Sequence, residues 1–189
     1  MKILVLDNYD SFTYNLVQLI KANSSADLAV FRNDEITIEA VSEYDKIILS
    51  PGPGIPVEAG ILCGLISTYK TSKSIFGVCL GMQAIGEVYG ARLINIAAPL
   101  HGVSTPINHT GSTLFAGIPS PFSVGRYHSW VISKETVPGE LNITAQDLDG
   151  FVMALEHQEH RVSGVQFHPE SILTEFGREI IVNFLNRDT

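Results

Sequence analysis

Short apolar runs alternate with helix-like segments through the first half of the chain. Four runs are almost continuously apolar, which is typical of strands buried on both faces of a parallel sheet. They are Ile3–Leu6, Leu28–Phe31, Lys46–Leu49 and Ile75–Val78. Apolar residues at helical spacing begin at Phe12, Ile61 and Gly81, so three helices are predicted there. Strands and helices in this order imply right-handed crossovers and a layered α/β fold.

The second half is richer in strands separated by turns. Six segments predict strands: Ala91–Asn95, Val103–Ile107, Val124–Ser133, Leu141–Gln146, Phe151–Leu155 and Arg161–Phe167. Asp149-Gly150 lies between two of them and is a strong hairpin signal. We therefore predict a doubly wound, mostly parallel sheet flanked by helices, with antiparallel additions in the C-terminal half. No linker or repeat interrupts the pattern, so residues 1–189 are expected to form one domain.

Polar residues and proline suggest where the helices begin. Ser11 or Asp10 is the expected N-cap of the first helix, because their side chains can accept hydrogen bonds from free backbone N–H groups. Pro56 lies near the expected start of the second helix. Thr174 is the expected N-cap of a final helix whose buried side carries Phe176, Ile180, Ile181, Phe184 and Leu185.

Composition and charge exclude several classes of protein. The chain has 189 residues, 45% of them hydrophobic and 17% charged, which excludes intrinsic disorder. The net charge of −8 disfavours nucleic acids and anionic membrane surfaces as partners. No apolar run is long enough to span a bilayer, and the N-terminus lacks the pattern of a secretory signal, so a cytoplasmic protein is expected. Two cysteines, Cys63 and Cys79, suggest no disulfide framework.

The segment around Cys79 carries the clearest chemical signal. A buried strand ends at Gly77-Val78-Cys79-Leu80-Gly81, and a helix follows at once. This is the pattern of a nucleophile elbow with sulfur in place of oxygen, in which glycines permit a tight turn. The helix N-terminus favours the reactive thiolate. The alternative is a buried core cysteine, which is how we interpret Cys63.

A candidate base follows the last predicted strand. In an extended chain, positions i and i+2 point the same way, so His168 and Glu170 can lie side by side around Pro169. A carboxylate beside an imidazole fixes its tautomer and stabilises its charged form. The alternative is a surface histidine beside a carboxylate that caps a helix.

A glycine- and proline-rich loop follows the third predicted strand. Ser50–Gly54 reads Ser-Pro-Gly-Pro-Gly, and such a preshaped backbone can present N–H groups to an oxyanion. The loop lacks the Lys-Ser/Thr ending of a phosphate-binding loop, so nucleotide binding is not indicated. The alternative is a tight turn before a helix.

Together these segments resemble the class I, triad-type glutamine amidotransferases. The matching stretches are Asp7–Asn15, Ser50–Gly54, Gly77–Gly81, Arg126–Ser129 and Gln166–Leu173. The first and fourth stretches are most similar to the glutaminase subunits of anthranilate synthase and aminodeoxychorismate synthase. Trp130 departs from the usual leucine, and Val103 departs from the usual lysine.

The resemblance implies roles for individual residues. It implies a catalytic triad of Cys79, His168 and Glu170, with the backbone N–H groups of Gly52 and Leu80 as the oxyanion hole. The remaining positions are implied to bind glutamine; they are Gly52, Pro53, Gly54, Gln83, Ser129 and Trp130. Neither a metal nor a cofactor is expected.

The expected function is hydrolysis of L-glutamine to glutamate, with ammonia delivered to a chorismate-binding synthase subunit. Anthranilate synthase is the favoured partner, and aminodeoxychorismate synthase, or a subunit shared by both, is the alternative. More distant alternatives are a stand-alone γ-glutamyl hydrolase and a regulatory relative without activity. The presence of Cys79, His168 and Glu170 disfavours the inactive relative.

Overall fold

The computed structural model describes residues 1–187, so the last two residues of the predicted domain lie outside the described part. Its strands are β1 Lys2–Asp7, β2 Asp27–Arg32, β3 Lys46–Leu49, β4 Ser74–Val78, β5 Leu93–His109, β6 Phe122–Ile132, β7 Leu141–Asp147, β8 Val152–His157 and β9 Val162–Val165. The helices are α1 Thr13–Asn23, α2 Leu62–Tyr69, α3 Leu80–Val88 and α4 Gly177–Asn186. None of these helices, within residues 1–187, combines the length and hydropathy of a bilayer-spanning segment.

The strands form one nine-stranded sheet in the order β2-β1-β3-β4-β9-β8-β7-β5-β6. Strands β1 to β4 pair in parallel, as their nearly continuous apolar sequences predicted. Helices α1 and α4 pack on one face of this parallel part, and α2 and α3 pack on the other. Helices on both faces bury both sides of the strands, which confirms the doubly wound α/β prediction.

The C-terminal half contributes the predicted antiparallel strands. The β7–β8 hairpin turns at Gly150, whose φ of +84° needs a residue without a side chain. The two strands predicted at Ala91–Asn95 and Val103–Ile107 are one continuous strand, β5. Register shifts on either side of residues 100–101 let β5 stay paired with β6 across the interval between the two predicted strands.

Strand β9 joins the two halves of the sheet. It is antiparallel to β8 but parallel to β4, so it belongs to the parallel core as well as to the antiparallel extension. Val165 lies opposite Val78 in the β4–β9 register. The residues that follow these two strands therefore emerge side by side at the carboxyl edge of the sheet.

Two predicted N-caps are wrong. Helix α1 begins after Phe12, and the side chain of Asp10 accepts a hydrogen bond from the Phe12 N–H in the turn before the helix. Thr174 lies before α4, which begins after Phe176. The Thr174 hydroxyl instead donates to the His168 carbonyl oxygen at 2.6 Å, so it fastens the candidate active site.

The second helix also begins later than Pro56 suggested. Pro56 starts a separate turn of 3-10 helix, Pro56–Glu58, and α2 begins at Leu62. The fixed φ of proline suits the first position of either kind of helix, so the sequence signal does not distinguish them.

Candidate active site

Cys79 lies in a sharp turn between β4 and α3. Its φ of +52° and ψ of −103° fall in a region that residues with a side chain rarely adopt. Its N–H donates to the Val165 carbonyl oxygen at 2.8 Å, which ties the turn to β9. A Cβ at Gly77 would lie 2.4 Å from the Gly81 carbonyl carbon, so both glycines permit the close approach of strand and helix. The turn has the strained geometry of a nucleophile elbow.

His168 and Glu170 form a buried pair just beyond β9. The Nδ1 atom of His168 lies 2.7 Å from the Glu170 Oε1 atom, and the two side chains are 2% and 0% exposed. The His168 N–H donates to the Gly125 carbonyl oxygen at 3.0 Å. The rings of Phe12 and Tyr127 contact the imidazole edge-on. Backbone and ring contacts together fix the orientation of the imidazole.

The electrostatics of the site favour a charged imidazole. Burial opposes the charged form of His168, but the interactions with Cys79 and Glu170 outweigh it and raise the pKa of His168 to about 10. The Nε2 atom of His168 is buried, and no atom of the described residues forms a well-aligned hydrogen bond with it. The free site therefore holds a proton on a nitrogen that is close to the thiol and available to a reacting group.

The Ser50–Gly54 loop lies against the elbow. The Asn8 side chain donates to the Ser50 carbonyl oxygen at 2.9 Å and holds the start of the loop. A Cβ at Gly52 would lie 2.7 Å from a methyl carbon of Leu80, so the loop touches the first residue of α3. Within residues 1–187, neither the Gly52 N–H nor the Leu80 N–H donates a hydrogen bond. Both can therefore serve an incoming oxyanion.

Cys79 lies where two cavities meet, and together they form a two-lobed cleft. The inner lobe has a volume of about 210 Å³ and contains every predicted glutamine-binding position. The outer lobe has a volume of about 400 Å³ and is lined by residues 9–12 and His168. Gly52 and Tyr127 line both lobes. Glu170 and Leu80 line neither lobe. Glu170 lies behind His168, and Leu80 lies beside Gly52.

A chain of side-chain amides lies beneath the inner lobe. The Gln83 Nε2 atom donates to the Trp130 carbonyl oxygen at 2.9 Å and to the Gln166 Oε1 atom at 3.1 Å. The Gln166 Nε2 atom lies 3.4 Å from the Cys79 sulfur. No role was predicted for Gln166 from the sequence, although it shares the i, i+2 spacing of His168 and Glu170. The signal in the sequence was a polar residue near the end of the predicted strand Arg161–Phe167, and the structure buries it completely.

A second polar group missed from the sequence supports the wall of the inner lobe. Arg126 and Asp147 are each 3% exposed and form an ion pair of 2.6 Å. The Arg126 Nε atom also donates to the His128 Nε2 atom at 3.1 Å. Burial, with the nearby charges of Arg126 and His168, lowers the pKa of His128 to about 3. His128 is therefore neutral beside the cleft.

Metal-ligating side chains do not converge in the described part of the chain. Among residues 1–187, no group of three or more His, Cys, Asp or Glu side chains is arranged to hold a metal ion. The reactive groups that the site brings together are the thiol, the imidazole, the carboxylate and the backbone N–H groups.

Comparison with known proteins identifies the family. The family model "Glutamine amidotransferase class-I" matches residues 4–187. The chain is 46% identical over 188 residues to the bifunctional protein TrpGD of Thermotoga maritima, of which it spans 32%. It is 45% identical over 185 residues to the aminodeoxychorismate/anthranilate synthase component 2 of Bacillus subtilis, and this match covers 97% of the chain and 95% of that protein.

The fold agrees with the sequence comparisons. A crystal structure of a putative GMP synthase subunit from Thermoplasma acidophilum aligns with a TM-score of 0.87 and 26% identity. The alignment covers 98% of this chain and 92% of that chain. With a family model that spans residues 4–187 and relatives that match along nearly its whole length, the chain belongs to the class I glutamine amidotransferases.

Proposed function

We propose that the chain is a glutaminase subunit that releases ammonia from L-glutamine for a synthase that aminates chorismate. The observation that carries the proposal is that the strained Cys79 turn and His168, which is paired with the buried Glu170, line the same cleft. The name of the Bacillus subtilis relative, aminodeoxychorismate/anthranilate synthase component 2, supports the choice of partner. Cys79, His168 and Glu170 are the proposed catalytic residues.

In the first half-reaction, the Cys79 thiolate attacks the side-chain amide carbon of glutamine. A C–S bond forms, and the carbonyl π electrons move onto oxygen, which accepts hydrogen bonds from the N–H groups of Gly52 and Leu80. When the tetrahedral intermediate collapses, the C–N bond breaks. The proton on His168 Nε2 passes to the leaving nitrogen, so ammonia departs and a γ-glutamyl thioester remains.

In the second half-reaction, water hydrolyses the thioester. The neutral His168 takes a proton from water as the oxygen attacks the thioester carbon, and the same two N–H groups hold the second oxyanion. Collapse breaks the C–S bond and releases glutamate. The thiolate and imidazolium pair is restored, and Glu170 keeps the imidazole oriented throughout.

The inner lobe has groups suited to the amino-acid end of glutamine. Both N–H groups of the Gln83 amide are already used by Trp130 and Gln166, so its Oε1 atom is the one left for substrate. An amide oxygen accepts hydrogen bonds and suits the α-ammonium group. The backbone at Ser129 and Trp130, with Pro53 and Gly54 opposite, forms the rest of the lobe.

The rim of the outer lobe suits a protein partner. Tyr9 is 51% exposed, Val103 is 38% exposed and Ile172 is 99% exposed, although all three are large and apolar. Tyr9 lines the outer lobe, Ile172 follows Glu170 by two residues, and the neighbour of Val103, Ser104, contacts Leu173. Exposed apolar residues around a cleft mark an interaction surface. A synthase subunit seated here would receive ammonia before it meets bulk water.

The proposal is tested by reconstitution. The protein is mixed with chorismate, L-glutamine and either an anthranilate synthase or an aminodeoxychorismate synthase large subunit, and the aminated product is identified by mass spectrometry. Glutamine-dependent product is expected with at least one synthase, and the Cys79→Ser variant should abolish it while ammonium salts still support synthesis. No glutamine-dependent product with either synthase, or full activity of Cys79→Ser, would refute the proposal.

The proposed partner-binding surface at the rim of the outer lobe is tested by placing a single charge on it. Ile172→Glu should weaken the complex at least tenfold, because a carboxylate replaces an apolar contact. Thr71→Glu adds the same charge to an exposed position at the opposite end of the sheet, just before β4, and should not alter complex formation. Equal affinities of both variants in calorimetry would place the partner elsewhere.

A further inference from the structure

The side-chain amide of Gln166 contacts the Cys79 sulfur, and the family resemblance implies no role for this residue. Gln166 is 0% exposed and lies between β9 and His168. Its backbone N–H donates to the Met153 carbonyl oxygen at 2.9 Å, so β8 holds the residue in place. Its side-chain Nε2 atom lies 3.4 Å from the Cys79 sulfur. A buried amide in this position needs a partner for every N–H and oxygen atom.

The Trp130 carbonyl oxygen determines the direction of the hydrogen bonds that run through the Gln83 and Gln166 amides to the Cys79 sulfur. The Trp130 carbonyl oxygen can only accept, so Gln83 must present its NH₂ group to it. The second N–H of that group then points to Gln166, which must present its oxygen atom. The Gln166 NH₂ group is left facing the sulfur. The backbone carbonyl at Trp130 therefore selects the amide orientation in which sulfur is the acceptor.

A hydrogen bond that the Cys79 sulfur must accept favours the thiolate form of the sulfur over the thiol form. A thiolate is a much stronger acceptor than a thiol, and hydrogen bonds to charged groups are the strong ones. We propose that Gln166 is a further catalytic residue, whose amide N–H donates to the Cys79 thiolate and stabilises it before attack. This inference rests on the proposed glutaminase function only in calling the thiolate the nucleophile.

The role follows the movement of charge during attack. As the C–S bond forms, the sulfur electron pair enters the bond, and negative charge passes to the oxygen held by Gly52 and Leu80. The Gln166 hydrogen bond weakens as the oxyanion bonds strengthen, and it re-forms when the thioester is cleaved. No proton moves to or from Gln166 in either half-reaction. Its contribution is therefore to the fraction of sulfur present as thiolate at a given pH.

The experiment measures the thiolate directly in the free chain. Alkylation of Cys79 by iodoacetamide is followed as a function of pH, and mass spectrometry of the peptides separates Cys79 from Cys63. In Gln166→Met the donor is absent, and in Gln166→Glu a carboxylate faces the sulfur. Both variants should move the acidic midpoint of the alkylation profile upward by about one pH unit or more. Gln166→Glu should give the larger shift, because like charges repel.

The matched control removes a glutamine amide elsewhere. Gln146 donates to the Gly150 carbonyl oxygen in the β7–β8 hairpin, so Gln146→Met should leave the midpoint unchanged. An upward shift in Gln166→Met supports the proposal, because this variant removes the donor without adding a charge. An unchanged or lowered midpoint in Gln166→Met overturns it, even if the variant is less stable, and if Gln166→Met did not fold, an unchanged midpoint in Gln166→Glu would overturn it. Neither glutamine nor a synthase is present, so the result stands apart from the test of the proposed function.

Discussion

Replacing Gly77 by alanine should separate β4 from α3 and disturb the turn that carries Cys79. The added Cβ would lie 2.4 Å from the Gly81 carbonyl carbon and 2.5 Å from both the Gly81 oxygen and the Met82 nitrogen. All three are backbone atoms, so no side chain can rotate away. Because ordinary contact begins near 3.4 Å, the first turn of α3 must move by about 1 Å.

The magnitude follows from that displacement. Overpacking in a core costs about 1–3 kcal/mol, and a backbone clash belongs at the upper end, so we expect the free energy of unfolding to fall by about 3 kcal/mol. A shift of about 1 Å in a catalytic group costs roughly a hundredfold in rate, so kcat/KM for glutamine should fall by about that factor. Both effects have the same cause, since α3 carries Leu80 and Gln83.

Urea unfolding and glutaminase kinetics with the synthase subunit present measure the two effects. Gly139→Ala is the matched control: its added Cβ has no neighbour within 4 Å, so stability and activity should stay close to those of the parent protein. If Gly77→Ala were within about 0.5 kcal/mol of the parent and equally active, the close packing of strand and helix would not be what holds the elbow.

Three further predictions concern the groups around the cleft. Asp147→Asn leaves the buried Arg126 guanidinium without its counter-charge and should lower the free energy of unfolding in urea by about 3–5 kcal/mol; a loss under about 1 kcal/mol would contradict the burial of the pair. The folded-state pKa of His168 is raised from 6.5 to about 10, so its stabilising contribution is fully present below pH 6.5 and is lost as pH rises to about 10. The unfolding free energy of the parent protein minus that of His168→Gln should fall over this range, and a constant difference would refute the pairing. Trp130→Leu should change KM for glutamine but alter kcat by less than about threefold, because Gln83 hydrogen-bonds to the Trp130 backbone carbonyl oxygen, which leucine also has; a kcat loss near a hundredfold would implicate the indole ring.

The parallel half of the fold could be predicted because its strands have one strong signature. Strands buried on both faces, such as Ile3–Leu6 and Lys46–Leu49, are almost continuously apolar, and neighbouring helices have a clear apolar stripe. The antiparallel half was harder to predict. Pro99 and Gly102 indicate a break in a strand, but β6 offers partners on both sides of the irregularity, and β5 continues through it. Tertiary pairing decides such cases, and local sequence does not record it.

The candidate site divides in a similar way. The turn at Cys79 could be expected from sequence, because a tight strand-to-helix connection needs glycines at fixed positions. The partners of the Thr174 and Gln166 side chains could not be expected from sequence, because they lie more than five residues away or in another element. Thr174 contacts the His168 backbone, and Gln166 contacts Gln83 and the Cys79 sulfur. A single hydroxyl or amide gives the same sequence signal whether it caps a helix or supports a site.

The pairing of β9 with β4 has a consequence for how such proteins can diversify. The proposed nucleophile, Cys79, and the proposed base, His168, follow adjacent strands, and the Cys79 N–H bonds directly to Val165, so the β4–β9 ladder brings the two residues together. Slippage by one residue would turn every side chain of β9 to the opposite face and remove His168 from the sulfur. The long excursion between α3 and β9 can therefore change in length or surface wherever it contacts neither the cleft nor His168, while Cys79 and His168 stay aligned. Variation in that excursion offers a route to new partners without rebuilding the chemistry.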